Sequence, residues 1–195
     1  MAAVIKVFPG IILLWFLLTR RWQGAAFVFV GMVVTVLLSL PFTGTQPWLD
    51  YPTVLANLSA PSDTRDTLAP AVWLTPLLGF TGARILVTGL GVLVLVWAAR
   101  RLDERASFAV AVVVSVLVAP ALYQHYLAIL VLPFVLGLAG RAVPFAIAAA
   151  YLLLWGGQQD ALGDLSWVVN RGMPTAGALL LLVALLRPHR APATD

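Results

Sequence analysis

Charge is what this chain has least of. Asp, Glu, Lys and Arg make up 10% of its 195 residues, against 62% hydrophobic residues and a mean hydropathy of +0.98. A water-soluble domain carries about 25% charged residues, so this composition excludes one and reads as an integral membrane protein. Cysteine is absent, which excludes a disulfide framework and thiolate metal sites. Two histidines and eight scattered carboxylates offer no cluster with metal-ligand spacing. No nucleotide-binding loop is present either, so no cofactor is expected. The net charge of +4 carries no nucleic-acid signal, because it has to be read by side of the membrane. No internal repeat is visible, which removes support for an inverted-repeat transporter. No stretch is left for a soluble domain, so residues 1–195 are one polytopic membrane domain.

What the chain does have is apolar runs separated by arginines and aromatic loops. Seven spans are expected, at residues 4–18, 25–40, 83–99, 108–118, 127–138, 143–155 and 176–186. Arg20-Arg21-Trp22 follows the first run, the wrong order for a signal peptide, which places its positive charges first. Residues 51–58 read as a short interfacial helix. Residues 67–80 are apolar but broken by Pro70, Pro76 and Gly79, and read as a re-entrant or interfacial piece. Short loops rich in Lys and Arg stay cytoplasmic. Placing the Arg20 and Arg100 turns inside also puts Arg141, Arg187 and Arg190 inside. The N-terminus is then outside and the C-terminus cytoplasmic. The outer loops are 43–82, 120–126 and 156–172.

This topology gathers the polar chemistry on one face. The inner turns hold arginines and little else. The outer loops hold amides, carboxylates, tryptophans and His125, with Lys6, Arg84 and Arg171 at span ends. Cations at headgroup depth suit a lipid phosphate, and aromatic rings beside amides and carboxylates suit a sugar. The candidate substrate-binding residues are Lys6, His125, Tyr126, Asp50 and Trp48. Plainer roles stand beside these. Lys6 can be a snorkelling anchor, and Asp50 can cap the helix that begins near Tyr51-Pro52. Asn57-Leu58-Ser59 fits a glycosylation acceptor pattern that is common by chance. His125, in the polar segment Ala119-Pro120-Ala121-Leu122-Tyr123-Gln124-His125-Tyr126, has the fewest packing reasons for its place.

Two segments resemble a known family. Lys6-Val7-Phe8-Pro9-Gly10, followed by an apolar run and Arg20-Arg21-Trp22, is similar to the lysine-proline and arginine-tryptophan segment of glycosyltransferase family 87. Ala119-Pro120 through His125-Tyr126 is similar to that family's later proline-histidine segment, with Ala119 and Tyr123 where serine and tryptophan are usual. The resemblance implies a GT-C type, all-α bundle and hexosyl or mannosyl transfer from a polyprenyl-phosphate sugar to a lipid or glycan acceptor on the outer face of the cell membrane. It also implies that the catalytic acid lies upstream of the lysine motif. The expectation is therefore a fragment-like bundle lacking its N-terminal half, with no catalytic residue of its own and a missing half or partner chain to complete it. The alternative from another class is a non-catalytic polytopic membrane protein or a transport or assembly subunit.

Overall fold

Small and β-branched residues crowd the stretch from Ala106 to Leu117, where Ala and Ser alternate with Val. Such residues let neighbouring helices approach closely in an apolar surround. The structure, a computed structural model, describes residues 8–57, 68–119, 122, 124–137, 149–150, 152 and 166–187. Every described element is helical. Helix α1 spans Phe8–Leu18, α2 Trp22–Thr43, α3 Gln46–Leu49, α4 Tyr51–Asn57, α5 Pro70–Arg101 and α6 Glu104–Leu117. A 3-10 helix, Gln124–Leu130, leads into α7, Val131–Gly137, and the last element, α8, spans Ser166–Leu186.

Helix α6 is the centre. All its residues from Ala106 to Leu117 are buried apart from the partly exposed Phe108, and it packs against α1, α5, α7 and α8. The Asp103 side chain starts it, accepting a hydrogen bond from the Ala106 N–H at 2.9 Å, a standard N-cap. Helix α5 offers α6 the stripe Ala83, Val87, Leu95 and Ala98. Gly91 sits within that stripe, where an added Cβ would lie 2.6 Å from Val118 Cγ1. Helix α8 contributes Ala178, Leu181, Ala184 and Leu185, all fully buried. Helix α1 contributes Trp15, 3% exposed. Its Nε1–H donates to Ser107 Oγ at 3.2 Å, and its ring meets Phe16 and Phe108 edge-on at 5.0 Å.

Helix α2 is the opposite case. It touches mainly α1 and exposes Phe27, Phe29, Val30, Leu37 and Leu38. Helices α2 and α5 are both long and apolar enough to cross a membrane. The 22 residues of α2 span about 33 Å at 1.5 Å per residue, against a hydrocarbon core of about 30 Å.

The elements differ from expectation at several points. The second helix runs through Pro41 to Thr43, because a proline in the last turn costs only one late hydrogen bond. Gly44, at φ 69°, then turns the chain, a conformation that favours glycine. The sequence predicts separate pieces at residues 67–80 and 83–99. They join as α5, broken only at Gly79, where φ is 67° and ψ 166°. The expected outer loop 43–82 therefore contains α3, α4 and the first turns of α5. The expected loop 156–172 overlaps α8, which begins at Ser166. The span expected at 143–155 falls almost wholly outside the described residues.

One main-chain junction ties the loop end together. The Leu68 N–H donates to the Leu122 carbonyl at 2.7 Å, and Thr175 Oγ1 donates to the Leu68 carbonyl at 2.8 Å. Leu68, Leu122 and Thr175 are all buried. A residue from each of three segments, before α5, after α6 and in α8, thus meets at one end of the bundle. The Arg20–Arg21 turn and the α5–α6 turn meet at the other, where Arg21 pairs with Glu104. Thr175→Val, which leaves the buried Leu68 carbonyl without that donor, is expected to cost about 1–3 kcal/mol. Thermal unfolding in detergent would read it, with Thr175→Ser close to wild type.

Candidate functional site

The loop end presents two groups of candidate residues. The first is built by α3 and α4. Trp48 is half-buried, and its Nε1–H donates to Ser39 Oγ, in the last turns of α2, at 2.9 Å. The Tyr51 ring lies 6.4 Å away at a tilt of 42°. Gln46 Nε2 donates to Asp50 Oδ1 at 3.0 Å. That bond fixes one carboxylate oxygen, and the residue is exposed. Phe42, 87% exposed, and Leu49, 70% exposed, flank this group. The short α3 stretch thus carries an anchored indole and an amide–carboxylate pair, with bare apolar side chains next to them in the chain.

The capping role open to Asp50 is not the one it takes. An N-cap residue has extended backbone, whereas Asp50 is α-helical at φ −79° and ψ −14° and closes α3. Its carbonyl accepts from the Val54 N–H at 2.9 Å, so α4 continues from α3 with hardly a break. The short helix expected at 51–58 forms as α4, Tyr51–Asn57.

The second group lies on the 3-10 helix. His125 and Tyr126 fall in its first turn. Tyr126 is half-buried and packs against the core, and the His125 side chain lies outside the described residues. This helix packs on α6 and α7, while α3 and α4 pack on one another. The two groups share an end of the bundle without forming one extensive contact surface among the described residues. Lys6 also lies outside the described residues. Ser39, which holds the Trp48 ring, was not singled out from sequence. The only signal for it is a hydroxyl two residues before Pro41, nine residues ahead of the indole it binds.

The fold and this surface define a class: an all-helical protein with apolar membrane-length helices and its polar aromatic surface at one end. The model of glycosyltransferase family 87 matches residues 1–121, more than half of the chain, and the protein belongs to that family. The matched residues include Lys6, Trp48 and Asp50 and stop short of His125 and Tyr126. No curated protein and no solved structure matches the chain significantly.

Proposed function

We propose that this chain is a polytopic membrane protein acting in hexosyl transfer, mannosyl by family analogy, from a polyprenyl-phosphate sugar to a lipid or glycan acceptor on the outer face. Family membership carries the transferase reading. The surface around Trp48 and Asp50 supports its assignment to the loop end. In the reaction an acceptor hydroxyl attacks the anomeric carbon of the donor. The bond to the phosphate oxygen breaks, and the polyprenyl phosphate leaves with that electron pair. The hydroxyl proton passes to a general base, a role that no residue of this chain is assigned.

Each remaining group has a physical task. The Trp48 face covers the apolar C–H face of a sugar ring, held at a fixed angle by Ser39. The Asp50 oxygen not engaged by Gln46 accepts from a sugar hydroxyl. Phe42 and Leu49, exposed beside them, receive the isoprenoid chain. Lys6 and His125 meet the phosphate, whose charge grows as it leaves, the moment at which a fixed cation is most effective. Tyr126 borders His125 in the chain and adds an aromatic ring beside it.

The test is transfer of labelled mannose from a polyprenyl-phosphate donor by the full protein in lipid. Transfer is expected, with Trp48→Ala lowering it by about tenfold, the equivalent of one lost stacking contact. Absence of transfer from every polyprenyl-phosphate hexose tried would overturn the reading.

A further inference from the structure

The end of the bundle opposite the loops holds a cavity for which the proposed transfer has no use. It measures about 320 Å³ and lies between the α1–α2 and α5–α6 turns, bordered by Leu18, Thr19, Arg20, Arg21, Leu102 and Ser107. Glu104 also borders it, but its carboxylate is held by the Arg21 guanidinium, which lies over the Trp15 ring at 5.7 Å. The hydroxyls are engaged too. Thr19 Oγ1 donates to the Trp15 carbonyl at 2.9 Å, and Ser107 Oγ donates to the Glu104 carbonyl at 3.0 Å. Among the described residues no carboxylate pairs with Arg20.

The backbone singles out the same residue. Arg20 has φ 58°, the one described non-glycine residue at positive φ. Its N–H donates to the Leu17 carbonyl at 3.1 Å, and the Arg21 N–H to the Phe16 carbonyl at 2.8 Å. These are the two bonds of a Schellman turn, with Arg20 at the position where glycine is usual because a Cβ is strained there. Strain held at the wall of a cavity points to a use for the side chain that incurs it. The surrounding charge is predominantly positive. Arg20, Arg21, Arg100, Arg101 and Arg105 stand against Asp103 and Glu104, five positive against two negative, a local excess of +3.

We propose that this cavity binds a phosphate-bearing anion, with Arg20 as the principal donor and Arg21 contributing the N–H groups that Glu104 leaves over. A guanidinium fork matches two phosphate oxygens. The volume, at the lower end of the range for small-molecule sites, exceeds what a bare phosphate needs and leaves room for an ester group against Leu18 and Leu102. The anion is either a phospholipid headgroup or a soluble phosphate ester. Helix α2 begins and α5 ends beside this cavity, so on the membrane reading above it lies at headgroup depth. Only the lipid source rests on that reading.

Native mass spectrometry of the full protein in detergent tests the site. The probes are phosphatidylglycerol, phosphatidylcholine and glycerol 3-phosphate. Expected is retention of one phosphatidylglycerol in preference to phosphatidylcholine, weakened by roughly tenfold in Arg20→Gln, the loss of one charge-assisted contact. Arg105→Gln, exposed and outside the cavity lining, should bind as wild type. Arg20→Gly relaxes the turn, so it should melt at or above the wild-type temperature while losing the lipid, which separates binding from folding. Retention of glycerol 3-phosphate but of neither lipid would uphold the site and assign it to a soluble ester. Equal losses in Arg20→Gln and Arg105→Gln, or no preference among the three probes, would overturn the proposal by reducing the cluster to diffuse charge. None of these readings depends on sugar transfer, so failure of the transferase assay and failure of this site are told apart.

Discussion

Trp15→Ala is expected to destabilise the bundle by about 3–5 kcal/mol, the range for removing a buried large aromatic side chain. The indole is 3% exposed and joins three parts of the fold. It donates to Ser107 on α6, touches Phe108 edge-on and underlies Arg21 at the α1–α2 turn. On the membrane reading the transfer from water contributes little, since lipid is as apolar as the core. What remains is dispersion, shape and the buried hydrogen bond, all lost when a cavity opens between α1 and α6. Trp15→Phe retains the ring contacts and loses the N–H donor, so it should cost nearer 1 kcal/mol. Unfolding by denaturing detergent titrated into mild detergent would rank the variants. Equal stability of Trp15→Ala and wild type would mean that α1 does not pack on α6 as described.

The second large effect is expected at Gly91. A methyl group alone would sit 2.6 Å from Val118 Cγ1 and 3.1 Å from Val114 Cγ1. Both neighbours are β-branched and rotationally stiff, so relief has to come from separating α5 from α6. Gly91→Leu should therefore reach or exceed the top of the range of about 1–3 kcal/mol for overpacking. Gly89, two residues away, has open space at its Cβ position. Gly89→Leu should be nearly neutral in the same titration. That contrast separates packing from any general effect of leucine on an apolar helix.

These two sites explain which parts of the fold were legible in the sequence. The Arg20–Arg21 turn, the short helix after Asp50 and the break before the main body of α5 were all readable, because proline, glycine and paired arginines mark them locally. The central place of α6 was not. Its hydropathy resembles that of α2, yet α6 is enclosed by protein and α2 is largely bare. Hydropathy does not distinguish a protein neighbour from lipid. Side-chain size does so better here, with Ala106, Ser107, Ala109 and Ala111 inside and Phe27, Phe29 and Leu37 outside. The start of α8 was missed because Ser166, Asn170 and Arg171 are polar, although a helix's first turns accept polar residues readily.

The candidate site was legible as chemistry and not as geometry. Trp48 and Tyr51 meet because α3 and α4 are nearly continuous, a consequence of the backbone at Asp50 that residue identity does not reveal. Nor does the sequence tell that Leu68, Leu122 and Thr175 meet. Those bonds place residues more than 100 positions apart at one end of the bundle, as Thr175 and Leu68 demonstrate. In the sequence the arginine end reads as an orientation signal and as part of the family segment, not as a site. Its cavity depends on a strained turn at Arg20 that no composition argument anticipates.

On the proposed topology the Trp48–Asp50 stretch and the arginine cluster lie on opposite sides of a membrane. The chain has no cysteine, so single cysteines can be introduced without background. Gln46→Cys and Arg105→Cys, each exposed, would be treated in intact cells with a membrane-impermeant maleimide. Labelling of Gln46→Cys is expected in intact cells, and of Arg105→Cys only after permeabilisation. Labelling of both from the same side, or in the reverse order, would contradict it.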